Sequence, residues 1–93
     1  MEVINKVPQV HAPKPITKDG QYEQFTSEMI LQNMGETTVR FNDHFTIKPS
    51  GNIKIGNLLC MPNKHEFYIS FTGAGTNRLE ILLQTLVDPI NCP

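Results

Sequence analysis

The sequence has no tryptophan, no long apolar run and no concentration of charge of one sign. Its longest uninterrupted apolar stretch, residues 58–61, is far shorter than the roughly 20 residues that a membrane-spanning helix needs. Eight lysines and arginines face nine acids, and the basic residues are scattered along the chain. Because nucleic-acid binders concentrate positive charge on one face or stripe, we expect neither a nucleic acid nor a membrane as a partner.

Residue types that carry catalysis or bind metals are few and dispersed. Cys60 and Cys92 are too far apart in sequence to form the close cysteine pair of a zinc site. The acidic residues form no cluster for acid–base catalysis, and no serine has the context of an activated nucleophile. The glycines of TGAGTN (72–77) lack the lysine and following helix of a phosphate-binding loop. We therefore predict a protein that is not an enzyme and that holds no metal or cofactor.

The N-terminal sequence MEVINKVPQVHAPKP has an acidic second residue and lacks the apolar block of a secretory signal. This indicates synthesis in the cytoplasm, where thiols stay reduced. We therefore predict that Cys60 and Cys92 are not paired with each other.

Residues 1–21 have the composition of an extended arm. Pro8, Pro13 and Pro15 each remove a backbone donor and disfavour helix in the preceding residue, which favours a polyproline-like conformation. The segment also carries five aliphatic side chains that a solvated linker would not need. It is either a loose terminus or an arm that lies on a neighbouring subunit. We predict the arm, with these side chains as its partner-binding residues: Val3, Ile4, Val7, Val10 and Ile16.

Residues 22–88 are predicted to form one all-β domain, followed by a short tail at 89–93. Short stretches with apolar residues at every second position are separated by turn signals, a pattern typical of β-sandwiches and small barrels. We predict tight turns at 42–43 and 49–51, and a small antiparallel β-sandwich or jelly-roll-like barrel. The alternation assigns fifteen residues to its core: Phe25, Met29, Leu31, Val39, Phe41, Phe45, Ile47, Ile53, Ile55, Phe67, Ile69, Phe71, Leu79, Ile81 and Leu83.

Residues 78–87, RLEILLQTLV, fit two periods. Their leucines match a helical stripe at i, i+3, i+4 and i+7, whereas Leu79, Ile81 and Leu83 match one face of a strand. We favour a strand that pairs with residues 67–71 across the 72–78 loop, because every preceding element is a predicted strand.

The stretch LQNMGETTVRFNDHFTIKPSGNIKIGN (31–57) resembles a pattern found in small structural proteins of tailed bacteriophages. Asn33 and Gly35 supply its N-x-G element, residues 39–41 and 45–47 its two strands, and residues 49–51 its P-x-G element. YISFTGAGTNRLEILLQTL (68–86) similarly resembles the closing hairpin of such proteins.

This resemblance implies a β-sandwich protein of the virion, either a capsid-decorating auxiliary protein or a neck or tail component. It implies many symmetric copies bound to other virion proteins, such as major capsid or neck and tail subunits, after synthesis in the host cytoplasm. The alternative is a carbohydrate- or small-ligand-binding β-sandwich module. Its site would be an outer face carrying Tyr22, Tyr68, Arg40 and Asn42, although the lack of tryptophan disfavours a sugar-stacking surface.

Overall fold

The computed structural model describes residues 8–86, and its regular elements are all β-strands. They form two four-stranded antiparallel sheets, which confirms the prediction of a small all-β sandwich. Their bounds are β1 (Pro8–His11), β2 (Gly20–Thr26), β3 (Glu28–Asn33), β4 (Thr38–Phe41), β5 (Phe45–Ile47), β6 (Asn52–Gly56), β7 (Asn63–Thr72) and β8 (Leu79–Leu86).

The strand pairings are nested. Sheet A has the order β1-β8-β3-β6 and sheet B the order β2-β7-β4-β5. The first strand therefore pairs with the last, β2 with β7, β3 with β6, and β4 with β5. These four pairs form one antiparallel ribbon that folds back near its middle. Successive pairs along the ribbon belong to sheets A and B in turn.

The fold-back in the middle of the ribbon is the predicted turn at 42–43. Asn42 and Asp43 have φ angles of 52° and 57°, a conformation that asparagine and aspartate tolerate better than most residues. The amide of His44 donates to the carbonyl of Phe41 at 3.1 Å and closes the turn. The prediction of a tight turn here is confirmed.

The alternating run across residues 22–32 is two strands rather than one. β2 ends at Thr26 in sheet B and β3 begins at Glu28 in sheet A, with Ser27 at the corner. The two sheets face each other, so a strand that crosses between them reverses which side chains point inward. Phe25 consequently lies on the outer face of sheet B, 69% exposed, and its assignment to the core was wrong.

Residues 79–86 form the strand β8, which confirms the strand that we favoured over a helix. The predicted pairing of this strand with residues 67–71 was wrong. β8 lies between β1 and β3 in sheet A, whereas residues 67–71 belong to β7 in sheet B. The loop between them therefore crosses from one sheet to the other instead of closing a hairpin. Gly73 and Gly75, with φ angles of 106° and 128°, provide backbone conformations that other residues rarely adopt.

The core lies between the sheets and contains most of the predicted residues. Phe45 is an exception, because β5 is a three-residue edge strand that leaves it 55% exposed beside Phe41. Ile53, Ile55 and Phe71 are only partly buried. The buried residues of the core are Ile16, Met29, Leu31, Val39, Phe41, Ile47, Phe67, Ile69, Leu79, Ile81 and Leu83.

Candidate functional site

The structure places two of the five predicted partner-binding residues. Ile16 is buried in the chain's own core, and its amide and carbonyl both bond Leu79 at 2.9 Å. A partner contact does not fit this position, because the side chain is already covered by its own domain. Val10 lies on β1 and is 57% exposed, so its contact with a partner stays a prediction. Val3, Ile4 and Val7 lie outside the described residues.

Residues 8–20 thus contribute to the sandwich. β1 pairs with β8 from Pro8↔Leu86 to His11↔Leu83, and Ile16 forms a further bridge to Leu79. The prolines exclude helix as expected, but they do not prevent a short edge strand, where proline is tolerated. The boundary drawn at residue 22 therefore falls inside β2.

Asn33, the first residue of the N-x-G element, connects loops through its side chain. Its side chain is completely buried, and its Nδ2 donates to the carbonyls of Thr37 at 2.7 Å and Ile47 at 2.9 Å. Its Oδ1 accepts the amide of Gly35 at 3.0 Å. Both donors of this amide and its oxygen bond to backbone groups, so its role is to hold the fold.

A second set of bonds joins the same region to the loop before β8. The hydroxyl of Thr37 donates to Asn77 Oδ1 at 2.6 Å. Glu36 donates its amide to the Thr76 carbonyl at 2.7 Å and accepts the Thr76 amide at 3.1 Å through its carboxylate. This last bond lowers the pKa of Glu36 below its ordinary value. Asn33, Glu36 and Thr37 therefore connect loops at one end of the sandwich.

Gly35 lies at a close approach of the two loops, which gives a direct stability test. A Cβ at this position would lie 2.5 Å from the Thr76 carbonyl oxygen and 2.6 Å from the Arg78 nitrogen. Both are backbone atoms, so a side-chain rotation cannot relieve the overlap. We expect Gly35→Ala to lower the free energy of unfolding by about 1–3 kcal/mol, measured by urea denaturation.

The matched control is Gly20→Ala, because a Cβ there would meet nothing closer than 3.7 Å. It should unfold at nearly the wild-type urea concentration. Equal midpoints for the two variants would contradict the close approach of the loops at Gly35.

The outer face of sheet B carries an exposed aromatic pair with charges between them. Phe25 on β2 lies opposite Lys64 on β7, and Tyr68, 43% exposed, lies four residues along β7 from Lys64, on the same face. Between them Glu23 and Glu66 are directly opposite each other. Lys64 Nζ reaches Glu66 at 3.0 Å and Glu23 at 3.2 Å, and these contacts raise the pKa of Lys64. The lysine offsets the repulsion between the two carboxylates.

The outer face of sheet A carries a half-open cleft of about 360 Å³. Its floor is the cross-strand pair Ile30 and Leu82, apolar residues at positions where alternation calls for polar ones. Residues 12–15, between β1 and β2, form one wall. We refer to the outer cleft as the space lined by Ala12, Pro13, Pro15, Ile30, Gln32, Arg78, Glu80, Ile81 and Leu82.

The polar groups of the outer cleft lie at one end. Arg78 donates to Glu80 Oε1 at 3.1 Å, and both side chains remain about half exposed. Gln32 is the cross-strand neighbour of Glu80. Arginine, glutamate and glutamine together present both donors and acceptors beside an apolar floor. Ile30 breaks the alternation of its segment, and this irregularity is the signal by which the sequence could have indicated the cleft.

The surface considered for the alternative ligand-binding function does not assemble as expected. Tyr22 packs against the core, stacks on Phe67 and donates its hydroxyl to the Lys18 carbonyl at 2.6 Å. Its assignment to an outer face was therefore wrong. Asn42 uses its Oδ1 to accept the Tyr68 amide at 2.7 Å.

Cys60 is disulfide-bonded, which contradicts the reduced state on which the prediction of unpaired Cys60 and Cys92 depended. That prediction depended on the cellular compartment, which carries no information about where the fold places a cysteine. Cys92 lies outside the described residues. Within residues 8–86, no three histidine, cysteine or acidic side chains are close enough together to hold a metal ion.

Comparison with known proteins finds no matching family model, no similar curated protein and no similar solved structure. The described part of the chain contains no helix that could cross a membrane. The features available for a functional argument are therefore the strand order, the exposed side chains and the outer cleft.

Proposed function

We propose that the eight strands form a jelly roll and that the protein is a non-enzymatic structural component of a bacteriophage virion. The observation that carries this proposal is the nested pairing of the strands. Eight antiparallel strands in two sheets, connected so that the first neighbours the last, form the double Greek key of jelly rolls. Viral capsid proteins are one of the main groups that use this fold.

The exposed apolar side chains favour a role in assembly. Phe25 and Tyr68 on sheet B and Val10 on β1 are available for contact with another protein. A fold of this size buries a limited core, and repeated contacts between copies add buried area that the single domain lacks. The partners are other virion proteins, major capsid or neck and tail subunits, and the copies are arranged symmetrically.

The test is whether the chain belongs to purified particles. Virions from the native source, banded on a density gradient, should contain the protein in fixed proportion to the major capsid protein after a high-salt wash. Its loss from the particles, together with a monomeric mass by light scattering, would refute the proposal.

The arm gives a second test, refined by the position of β1. Deleting residues 2–7 removes Val3, Ile4 and Val7 but keeps β1, so we expect a folded domain that assembles less well. Deleting residues 2–17 also removes β1 and the buried Ile16. We expect this longer deletion to destabilise the fold, because burial of an isoleucine and a paired strand is lost.

Circular dichroism with thermal melts measures the stability of both deletions, and binding to particles lacking the protein measures assembly. Undiminished assembly after removal of residues 2–7 would show that these aliphatic residues have no partner. An unchanged melting temperature for the longer deletion would contradict the packing of Ile16.

A further inference from the structure

One side of β7 is only partly covered by a neighbouring strand. On one side β7 pairs with β2 over residues 63–69, whereas on the other side β4 covers only residues 69–72. The chain turns back after β4 at 42–43. Within the described part of the chain, no strand lies beside residues 63–67 on the side of β4. We refer to residues 63–67 of β7 as the open edge of sheet B.

The open edge presents backbone donors and acceptors to its uncovered side. The Tyr68 carbonyl accepts the amide of Asn42 at 2.9 Å, and the Tyr68 amide donates to Asn42 Oδ1 at 2.7 Å. Both backbone groups of Tyr68 therefore point toward β4. Residues two apart in a strand direct these groups to the same side, so those of Glu66 and Lys64 point the same way. Among residues 8–86, no backbone group pairs with them there.

The open edge is complementary to itself in the antiparallel direction. It begins after Pro62, which has no amide hydrogen, and it ends before Tyr68, whose backbone groups are already bonded. Its midpoint is His65. A two-fold axis at His65 would place Lys64 opposite the Glu66 of a second copy, and Glu66 opposite the Lys64 of that copy. The interval and its charges are therefore symmetric about the same residue.

We propose that two copies of this chain join their open edges, so that the four-stranded sheets B become one continuous sheet. Each pair of Lys64 with the Glu66 of the second copy exchanges both of its amide-to-carbonyl bonds. The two side chains also lie on the outer face of sheet B, so opposite charges meet across the junction. The contact is the addition of a strand to an exposed sheet edge, and a second copy supplies that strand.

The charges favour pairing over protection of the edge. Charged residues on an edge strand can prevent association, but this requires like charges to meet, and the symmetric register of Lys64 and Glu66 brings opposite ones together. Within one copy, Glu23 and Glu66 share the single cation of Lys64, at 3.2 and 3.0 Å. The second copy brings another lysine beside Glu66.

His65, at the two-fold axis, leaves room for the second copy. Its Nε2 is 3.0 Å from the carbonyl of Thr26 on β2, so the ring leans toward its own sheet and away from the junction. The open edge is only on the order of 17 Å long at 3.4 Å per residue, so we expect a weak dimer that depends on protein concentration. This inference concerns the isolated chain and is independent of the virion proposal.

Exchange of the edge charges tests the contact and its register. Lys64→Glu makes the open edge acidic and Glu66→Lys makes it basic, so each variant alone brings like charges together. We expect either variant to self-associate about tenfold or more weakly than the wild type in sedimentation equilibrium. An equimolar mixture of the two should associate, because the acidic edge then meets the basic one. The double variant Lys64→Glu/Glu66→Lys should associate as the wild type does.

The matched control is Lys48→Glu, the same charge change at an exposed residue outside the open edge. It should associate as the wild type does, and an equal loss would attribute the effect to net charge. A mixture of the two single variants that stays monomeric would refute the register. A wild-type protein that stays monomeric at millimolar concentration would refute the dimer.

Amide hydrogen exchange in the wild-type protein tests the same contact without any substitution. The amides of Lys64 and Glu66 should exchange fast in dilute protein and become protected as its concentration rises. The amides of His65 and Phe67 point toward β2 and should be protected at every concentration, so they are the internal control. Protection of Lys64 and Glu66 that needs a different added protein would overturn pairing between copies. A dimer in which their exchange does not change would place the contact elsewhere.

Discussion

Asn33→Asp should lower the free energy of unfolding by about 3–5 kcal/mol, the usual cost of leaving a buried charge without a partner. The side chain keeps its shape, but the Nδ2 that donates to the carbonyls of Thr37 and Ile47 becomes an oxygen. Two carbonyls then face a carboxylate at a fully buried position. Urea denaturation at neutral pH measures the loss.

The pH dependence identifies the cause. Burial beside two carbonyl oxygens raises the pKa of the introduced carboxyl above the ordinary aspartate value of about 4. The folded state then binds the proton more tightly than the unfolded state. The loss of unfolding free energy therefore grows as the pH rises from about 4 through the folded-state pKa. A proton on the carboxyl also restores one donor. We therefore expect a smaller loss at about pH 5 than at pH 8.

Asn52→Asp is the control for the same chemical change, because Asn52 is exposed on β6 near the same end of the sandwich. Its unfolding midpoint should change little at either pH. A loss for Asn33→Asp no larger than that of Asn52→Asp would mean that the Asn33 amide does not connect the loops.

Phe67→Ala should cost about 3–5 kcal/mol, as for other buried aromatic residues. Phe67 is 2% exposed and lies in the middle of an aromatic stack, with ring centroids 5.4 Å from Phe41 and 6.1 Å from Tyr22. Truncation leaves a cavity that the rigid strands on either side cannot close. Guanidinium or thermal unfolding measures the change.

Phe25→Ala removes the same atoms from a side chain that is 69% exposed, and its effect should stay within about 0.5 kcal/mol. The same variant should weaken association with particles, if Phe25 is part of the proposed contact surface. A large stability loss for Phe25→Ala, with a small one for Phe67→Ala, would reverse the assignment of the inner and outer faces.

The alternation of apolar residues predicted the strands, the turn at 42–43 and most of the core, because period-two burial is a local property of a sheet. It failed at Phe25, where the chain passes from sheet B to sheet A at Ser27. It also failed for the neighbour of β8. Which sheet a strand joins depends on contacts distant in the chain, and the local pattern carries no information about them.

The N-terminal residues show a different limit. Prolines in 8–15 indicated an extended backbone, which is correct for β1, but extension alone does not decide whether a segment leaves its domain. Ile16 returns to the core through two bonds to Leu79. That contact joins positions 63 residues apart, and such pairings have no signature in the composition of either segment.

The candidate site was partly visible in the sequence. Ile30 interrupts the alternation of its strand, and Leu82 does the same on β8. The register between β3 and β8 places the two residues directly opposite each other, and only this pairing makes them one apolar floor. The interruption of pairing between residues 12–15 and β8 could not be predicted, because it results from a one-residue difference in length between the two segments.

The nested pairing also determines the order in which the chain can fold. The innermost pair joins Phe41 and Phe45, four positions apart, whereas the outermost joins Pro8 and Leu86, 78 positions apart. Contacts between distant positions form slowly, because loop-closure entropy must be overcome first. β1 pairs only with β8 in sheet A, so it has no strand neighbour in that sheet until β8 has left the ribosome. A nascent chain can therefore form the β4–β5 pair early, whereas β1 can pair only after β8 has been synthesised.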